Sequence, residues 1–271
     1  MATIIASCNQ KGGVGKTTTL YHLARAAVVA GQRVLIIDAD PQGNLSRLLS
    51  AHELRPDQLS IADVLVSRIS QRPGAADVTP ISETLVPGLW DGLDIAPAVG
   101  DTLSYARDQL VIAGAGREHK LSEALAEVRD DYDLVLIDCP PSLDQLTLNA
   151  LTAADRALIV TEPRLLSLDG MSQLMQTITN VQRYLNRDLV IGGVLVNRVE
   201  RGQIAAHHWM LKLRQVSAQD GWNLLDPGVP KRTMIANATE TGEALDQSKA
   251  EGADLASLYS RHLTTLMGDP A

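Results

Sequence analysis

Thr3-Ile-Ile-Ala-Ser-Cys8 runs directly into Asn9-Gln-Lys11-Gly-Gly-Val-Gly-Lys-Thr-Thr18, and this junction decides how the chain reads. The first six residues predict a short buried strand, and Gly12, Gly13 and Gly15 predict a tight turn. Thr17–Ala30 then sets Leu20, Leu23, Ala24, Ala27 and Val28 on one helical stripe, with Gly31 as a stop. A glycine-rich turn between a strand and a helix surrounds phosphate oxygens with backbone N–H groups at the helix N-terminus. Lys16 is spaced to reach terminal phosphates, and Thr17 offers a hydroxyl to Mg²⁺. Strand, loop and helix together predict a P-loop, with Gly12, Gly13, Val14, Gly15, Lys16, Thr17 and Thr18 as its nucleotide-binding set.

Outward from this loop, apolar strands alternate with amphipathic helices. Val34–Asp38, Asp133–Asp138, Arg156–Thr161 and Leu189–Asn197 read as buried strands. Helices are expected near Asp144–Leu151, over Ser167–Leu185 and over Ile204–Ala218. The long one turns Leu168, Met171, Leu174, Met175, Ile178 and Leu185 inward. Near-continuous apolar strands between helices predict an α/β fold, a mostly parallel twisted sheet with helices on both faces. From about Ala51 to Gly116 the pattern weakens around Arg72-Pro-Gly, Val86-Pro-Gly and Pro97, with a strand candidate at Leu93–Ala96. That stretch reads as a less regular insertion within one domain covering residues 1–271.

The second and third strands end in carboxylates. Asp38 and Asp40 lie at the carboxyl end of one and Asp138 at that of another, where open α/β sheets bind ligands. Around a P-loop, three such acids read as part of the ligand site and not as helix caps or turn residues.

Lys11-Gly-Gly-Val-Gly-Lys-Thr-Thr18 resembles the deviant Walker A motif of the ParA/MinD family of ATPases. The resemblance implies that Lys11 crosses a dimer interface to the partner's nucleotide, so that ATP forms part of that interface. A second cation there neutralises charge that develops in phosphoryl transfer. Asp38-Ala-Asp40-Pro-Gln-Gly-Asn44 resembles the family's switch I. By position, Asp38 would help hold the Mg²⁺ water shell and Asp40 would orient or activate the attacking water. Asp133-Leu-Val-Leu-Ile-Asp138 is similar to Walker B, giving Thr17, Asp38 and Asp138 as the metal set, and Cys139-Pro-Pro-Ser resembles switch II. Val194-Leu-Val-Asn197-Arg198 resembles the adenine-contacting element, where an amide offers a donor and an acceptor to the base. Pro230, in Gly228-Val-Pro-Lys-Arg232, matches the segment that lies beside the base. The resemblance runs from Thr3 to about Leu266 and is nearest the short, Soj-like ParA proteins. Two departures are Thr161-Glu-Pro-Arg164, in place of a hydrophobic-proline sequence, and the lack of a helix-turn-helix before the P-loop.

Among 271 residues, 45% are apolar, as in ordinary globular chains. No apolar run reaches the roughly 18 residues that span a bilayer. Strand-like sequence from the first residues predicts no signal peptide, and Cys8 and Cys139 read as buried free thiols. A cytoplasmic, nucleoid-associated location is the expectation. The net charge is −8, yet residues 181–232 hold eight Arg or Lys against four Asp or Glu, leaving that segment near +4 and the remainder near −12. Either a phosphate-binding face or a solvated helical face fits this charge alone. Arg201, Lys212, Arg214, Lys231 and Arg232 are the candidate contacts to DNA. With aromatics at 3% and no Phe, base stacking is excluded as the main mode.

The expected partners are a second copy joined through ATP, double-stranded DNA of any sequence, and a ParB-like or other cargo adaptor that stimulates slow hydrolysis. The alternative is a MinD-like membrane-surface switch, which needs an amphipathic C-terminal helix with a basic rim. Ala253–Met267 has Leu255, Leu258, Tyr259, Leu263 and Leu266 but only Arg261 as a cation, so a packed helix and no membrane are expected. An iron–sulfur carrier would need further cysteines, and no constellation for a small-molecule substrate stands out.

Overall fold

The computed structural model describes residues 1–69, 78–163, 167–200, 204–248 and 250–268, with backbone only at 167–170 and 204–208. In chain order the elements are β1 (Thr3–Cys8), α1 (Lys16–Val29), β2 (Val34–Asp38), α2 (Asn44–Leu49) and α3 (Ile61–Ile69). Then come β3 (Val86–Pro87), β4 (Leu93–Ala96), α4 (Thr102–Ile112), α5 (Lys120–Leu125), β5 (Leu134–Asp138) and α6 (Gln145–Ala153). The chain closes with β6 (Arg156–Thr161), α7 (Ser167–Tyr184), β7 (Val190–Val196), α8 (Ile204–Asp220), β8 (Leu224–Leu225), α9 (Thr233–Thr241) and α10 (Ala250–Met267).

Among the described residues the strands form one sheet in the order β3-β4-β2-β5-β1-β6-β7-β8. All neighbours run parallel except the short edge strand β3. Why the strands lack hydrophobic alternation follows from the two cores. Ile4, Ala6 and Cys8 of β1, with Leu35, Ile37, Val135 and Ile137, face α3 to α8. Ile5, Val34, Ile36, Leu134 and Leu136, each the neighbour in sequence, face α1, α2, α9 and α10. A strand covered on both faces gains by being apolar at every position, at about 1.5–3 kcal/mol per fully buried Leu, Ile or Val.

Residues 51–116 contribute α3, β3, β4 and α4, and β4 pairs with β2 inside the sheet. Ser60 opens α3, its backbone N–H and hydroxyl both donating to Asp63 Oδ2 at 2.8 Å. At the amino ends of the strands, Asp155 accepts from the Ile4 N–H at 2.8 Å and takes the Arg129 guanidinium in a forked pair. Arg129 Nε also donates to the Ala2 carbonyl at 3.1 Å. On the other face α10 packs along α1, burying Leu255, Leu258, Tyr259, Leu263 and Leu266.

Candidate nucleotide-binding site

The sheet register brings the chemistry to one rim. Asp38 pairs with Asp138 across β2 and β5, and Ser7 pairs with Asp138 across β1 and β5. The loop after β1 therefore rises beside two strand-end carboxylates, outside the carboxyl ends of the sheet. Gly13 and Gly15 hold φ at +76° and +92°, where a side chain is strained. A Cβ on Gly13 would meet open space, whereas one on Gly15 would fall 2.1 Å from Asn197 Nδ2. Asn9 ties the loop to β6, donating from Nδ2 to the Val160 carbonyl at 2.6 Å and accepting from the Lys11 N–H at 2.9 Å. Lys16 is buried, its ammonium 3.4 Å from the Asn9 carbonyl. Pro141, of the turn after β5, lies 3.7 Å from where a Gly12 Cβ would stand.

Thr17, Asp38 and Asp138 converge beneath this loop. The Thr17 hydroxyl donates to Asp138 Oδ2 at 2.6 Å. Asp38 accepts from the Ser46 N–H at 2.8 Å, from the Ser46 hydroxyl at 2.7 Å and from the Asp40 N–H at 3.2 Å. Burial pushes the Asp38 carboxyl up to about 6, the Ser46 bonds only partly opposing it. Burial, with the adjacent Asp38 charge, pushes Asp138 up to about 8. Asp138 Oδ1 is buried without a hydrogen-bond partner. Two carboxylates held against their own ionisation, one with an orphaned oxygen, fit a site that gains by taking a cation. Among the described residues no group of three or more His, Cys, Asp or Glu could hold a metal by itself. Mg²⁺ binds through one or two carboxylates, waters and phosphate oxygens, and the Asp138 and Asp38 carboxylates with the Thr17 hydroxyl fit that donor set. Asp40 stands at the rim, its Oδ1 accepting from the Gln42 N–H at 3.0 Å.

At the far end of the loop, Asn197 Nδ2 donates to the Val14 carbonyl at 2.9 Å and Oδ1 accepts from the Arg198 N–H at 2.9 Å. The amide thus braces the loop and keeps one N–H and one lone pair for a ligand. Beside it opens a cleft of about 250 Å³, lined by Thr18, Asn197, Arg198, Pro230, Lys231 and Ile235 among others. Pro230 and Asn197, separate in sequence, thus meet at one cleft.

Of the candidate DNA contacts, Arg201 lies outside the described residues. Arg214 pairs with Asp226 at 3.0 Å, Lys231 with Glu200 at 2.6 Å and Arg232 with Glu251 at 2.9 Å. Lys212 sits 5.4 Å over the Trp209 ring. Lys231 and Arg232 line the cleft beside Pro230. Four residues of the site make contacts that the sequence did not suggest: Asn9 and Ser46, and Glu162 with Arg198, which pair at 3.0 Å. Ser46 carried no signal, since α2 also holds Asn44 and Arg47. Glu162 had one in a charge placed immediately after a buried strand.

A P-loop, two strand-end carboxylates and a parallel sheet covered on both faces define a P-loop nucleotide-binding domain. Residues 2–191 match the family described as an AAA domain. The chain is 40% identical to the sporulation initiation inhibitor protein Soj of Bacillus subtilis, over 74% of each chain. It is 36% identical to the chromosome partitioning protein ParA of Caulobacter vibrioides, over 89% of this chain and 85% of that one. A solved structure of cobyrinic acid a,c-diamide synthase from Mycobacterium smegmatis with bound ATP analog and magnesium superposes with a TM-score of 0.78. It is 32% identical and covers 97% of this chain and 93% of that one. The chain belongs to the ParA/Soj family of P-loop ATPases.

Proposed function

We propose that this chain is an ATP-dependent dimerisation switch that binds double-stranded DNA without sequence preference and hydrolyses ATP to segregate or position a cargo. The observation that carries the reading is the Thr17–Asp138 hydrogen bond beside the orphaned Asp138 Oδ1, directly beneath the glycine loop. Thr17, Asp38 and Asp138 would hold Mg²⁺, which neutralises charge on the phosphates and polarises them. Lys16 reaches the terminal phosphates and Lys11 reaches those of the partner protomer. Asp40, at the rim, orients the attacking water. Asn197 and Pro230 receive the adenine at the cleft. ATP and magnesium as ligands are supported by the Mycobacterium smegmatis relative, and segregation by the Caulobacter relative's name.

Lys212, Arg214, Lys231 and Arg232, with Arg201, form the DNA-contacting set. The ion pairs of Arg214, Lys231 and Arg232 are largely exposed, and such pairs contribute about 0–1 kcal/mol, so phosphates can replace the carboxylates. The apolar side chains of α10 are already buried against α1, which favours DNA over a membrane surface. Among the described residues no helix is long and apolar enough to cross a membrane. A ParB-like or other adaptor on the cargo would stimulate hydrolysis.

The test is binding to arbitrary duplex DNA without nucleotide, with ADP and with ATP, for the wild type and Lys16→Ala, across a salt series. The expected result is binding by the ATP-bound wild type alone, weakening with salt whatever the DNA sequence. ATP-driven dimers with no DNA affinity would remove the DNA assignment and leave the switch.

A further inference from the structure

Two cations beside the phosphate loop are both engaged by one buried carboxylate. The sheet order sets β6 between β1 and β7, so Glu162, the first residue after β6, stands between the loop and Arg198. Its side chain is 6% exposed. Oε2 lies 3.7 Å from Lys11 Nζ, and Oε1 accepts from Arg198 Nη1 at 3.0 Å. The same Nη1 donates to the Gly13 carbonyl at 2.6 Å, which lays the guanidinium over the loop. Arg198 reaches this position from a backbone φ of +55°, a conformation uncommon outside glycine.

We propose that Glu162 is a positioning residue that holds Lys11 and Arg198 over their own phosphate loop, so that ATP must draw Lys11 away before two protomers close. The proposal rests on the reading of Lys11 as acting on the partner's nucleotide. Lys11 and Arg198 are 38% and 50% exposed, so phosphates can reach both. A triphosphate concentrates more negative charge than one carboxylate and accepts stronger charge-assisted hydrogen bonds. ADP offers less, so the restraint tilts the switch towards ATP. When Lys11 leaves, Arg198 stays on Glu162, and the buried carboxylate is not left without a counter-charge.

The test is sedimentation of the wild type, Lys11→Ala and Glu162→Gln over an ATP series and an ADP series. Glu162→Gln keeps the shape and removes the charge. It is expected to lower the half-maximal ATP for dimerisation about two- to fivefold, the range for a partly exposed ion pair. It should also give measurable dimer with ADP. An unchanged value overturns the proposal, and so does a raised one, which is what loss of a merely structural support would produce. If Glu162→Gln does not fold, Glu162→Asp, with a shorter arm, should show a smaller shift in the same direction, and wild-type behaviour overturns the restraint. Wild type that forms no dimer with ATP overturns the restraint together with the Lys11 reading. Wild type that dimerises while Lys11→Ala does not, with Glu162→Gln matching wild type, overturns the restraint alone.

Discussion

His22 should make this fold acid-sensitive in a measurable window. It sits on α1 beneath α9 and α10, buried, its ring 4.8 Å from that of Tyr259 and 5.1 Å from that of Tyr21. Nε2 lies 3.2 Å from the Thr239 hydroxyl and 3.4 Å from the Ile235 carbonyl. Burial pushes its pKa down from 6.5 to about 4, the Ile235 carbonyl only partly opposing this. Between those values the unfolded chain binds a proton that the folded chain refuses. The folded state therefore keeps its full advantage above pH 6.5 and loses it as pH falls towards 4. The loss amounts to about 2 kcal/mol at pH 5 and about 3 kcal/mol at pH 4. Asp38 and Asp138, whose pKa values are raised, act in the opposite direction, so the signal must be read as a difference. The assay is urea denaturation of the wild type and His22→Gln from pH 7.5 to 5. The stability gap between them should shrink by about 2 kcal/mol across that range. Gln does not titrate, so any packing cost is a constant offset. Curves that stay parallel would refute the argument that this imidazole is held neutral.

Two further outcomes follow from the site. Asp138→Asn replaces a carboxyl whose ionisation burial and Asp38 both oppose, so nucleotide-free Tm should rise by about 2–4 °C. Stabilisation by ATP and magnesium should disappear in the same melts; a lower Tm would contradict the repulsion. Gly15→Ala puts a methyl where Asn197 Nδ2 stands, at a φ of +92°. It should cost about 1–2 kcal/mol by urea denaturation. Breaking the Asn197–Val14 bond should also weaken binding of a fluorescent ATP analogue at least about tenfold.

The central strands were legible because each is an apolar run closed by a loop or a carboxylate. β1, β2, β4 and β6 carry the boundaries that the sequence predicts, and β5 begins one residue later. α3 and α4 were not legible, since turn residues around them interrupt any periodic window, although Ser60-Ile-Ala-Asp63 is a capping box in plain view. The edge strands β3 and β8 are two residues each, too short for a pattern. Within the site, residues whose role follows from loop chemistry could be named from spacing alone. The contacts that brace the loop could not. Asn9 meets Val160 across 151 positions and Asn197 meets Val14 across 183, and only the strand order makes them neighbours. The five basic residues were chosen by charge, and charge does not disclose the carboxylates that three of them meet.

The staple of Arg129, Asp155 and Ala2 divides the molecule's labour. It locks the amino ends of the central strands with a forked ion pair and two backbone bonds. The opposite rim carries strained glycines and carboxylates held against ionisation. One end of the sheet is thus an anchored foundation and the other a working edge whose discomfort is relieved by its ligands. In a random library, variants that never accumulate as soluble protein should cluster at the anchored end, whereas variants that accumulate but fail to respond to nucleotide should cluster at the working edge.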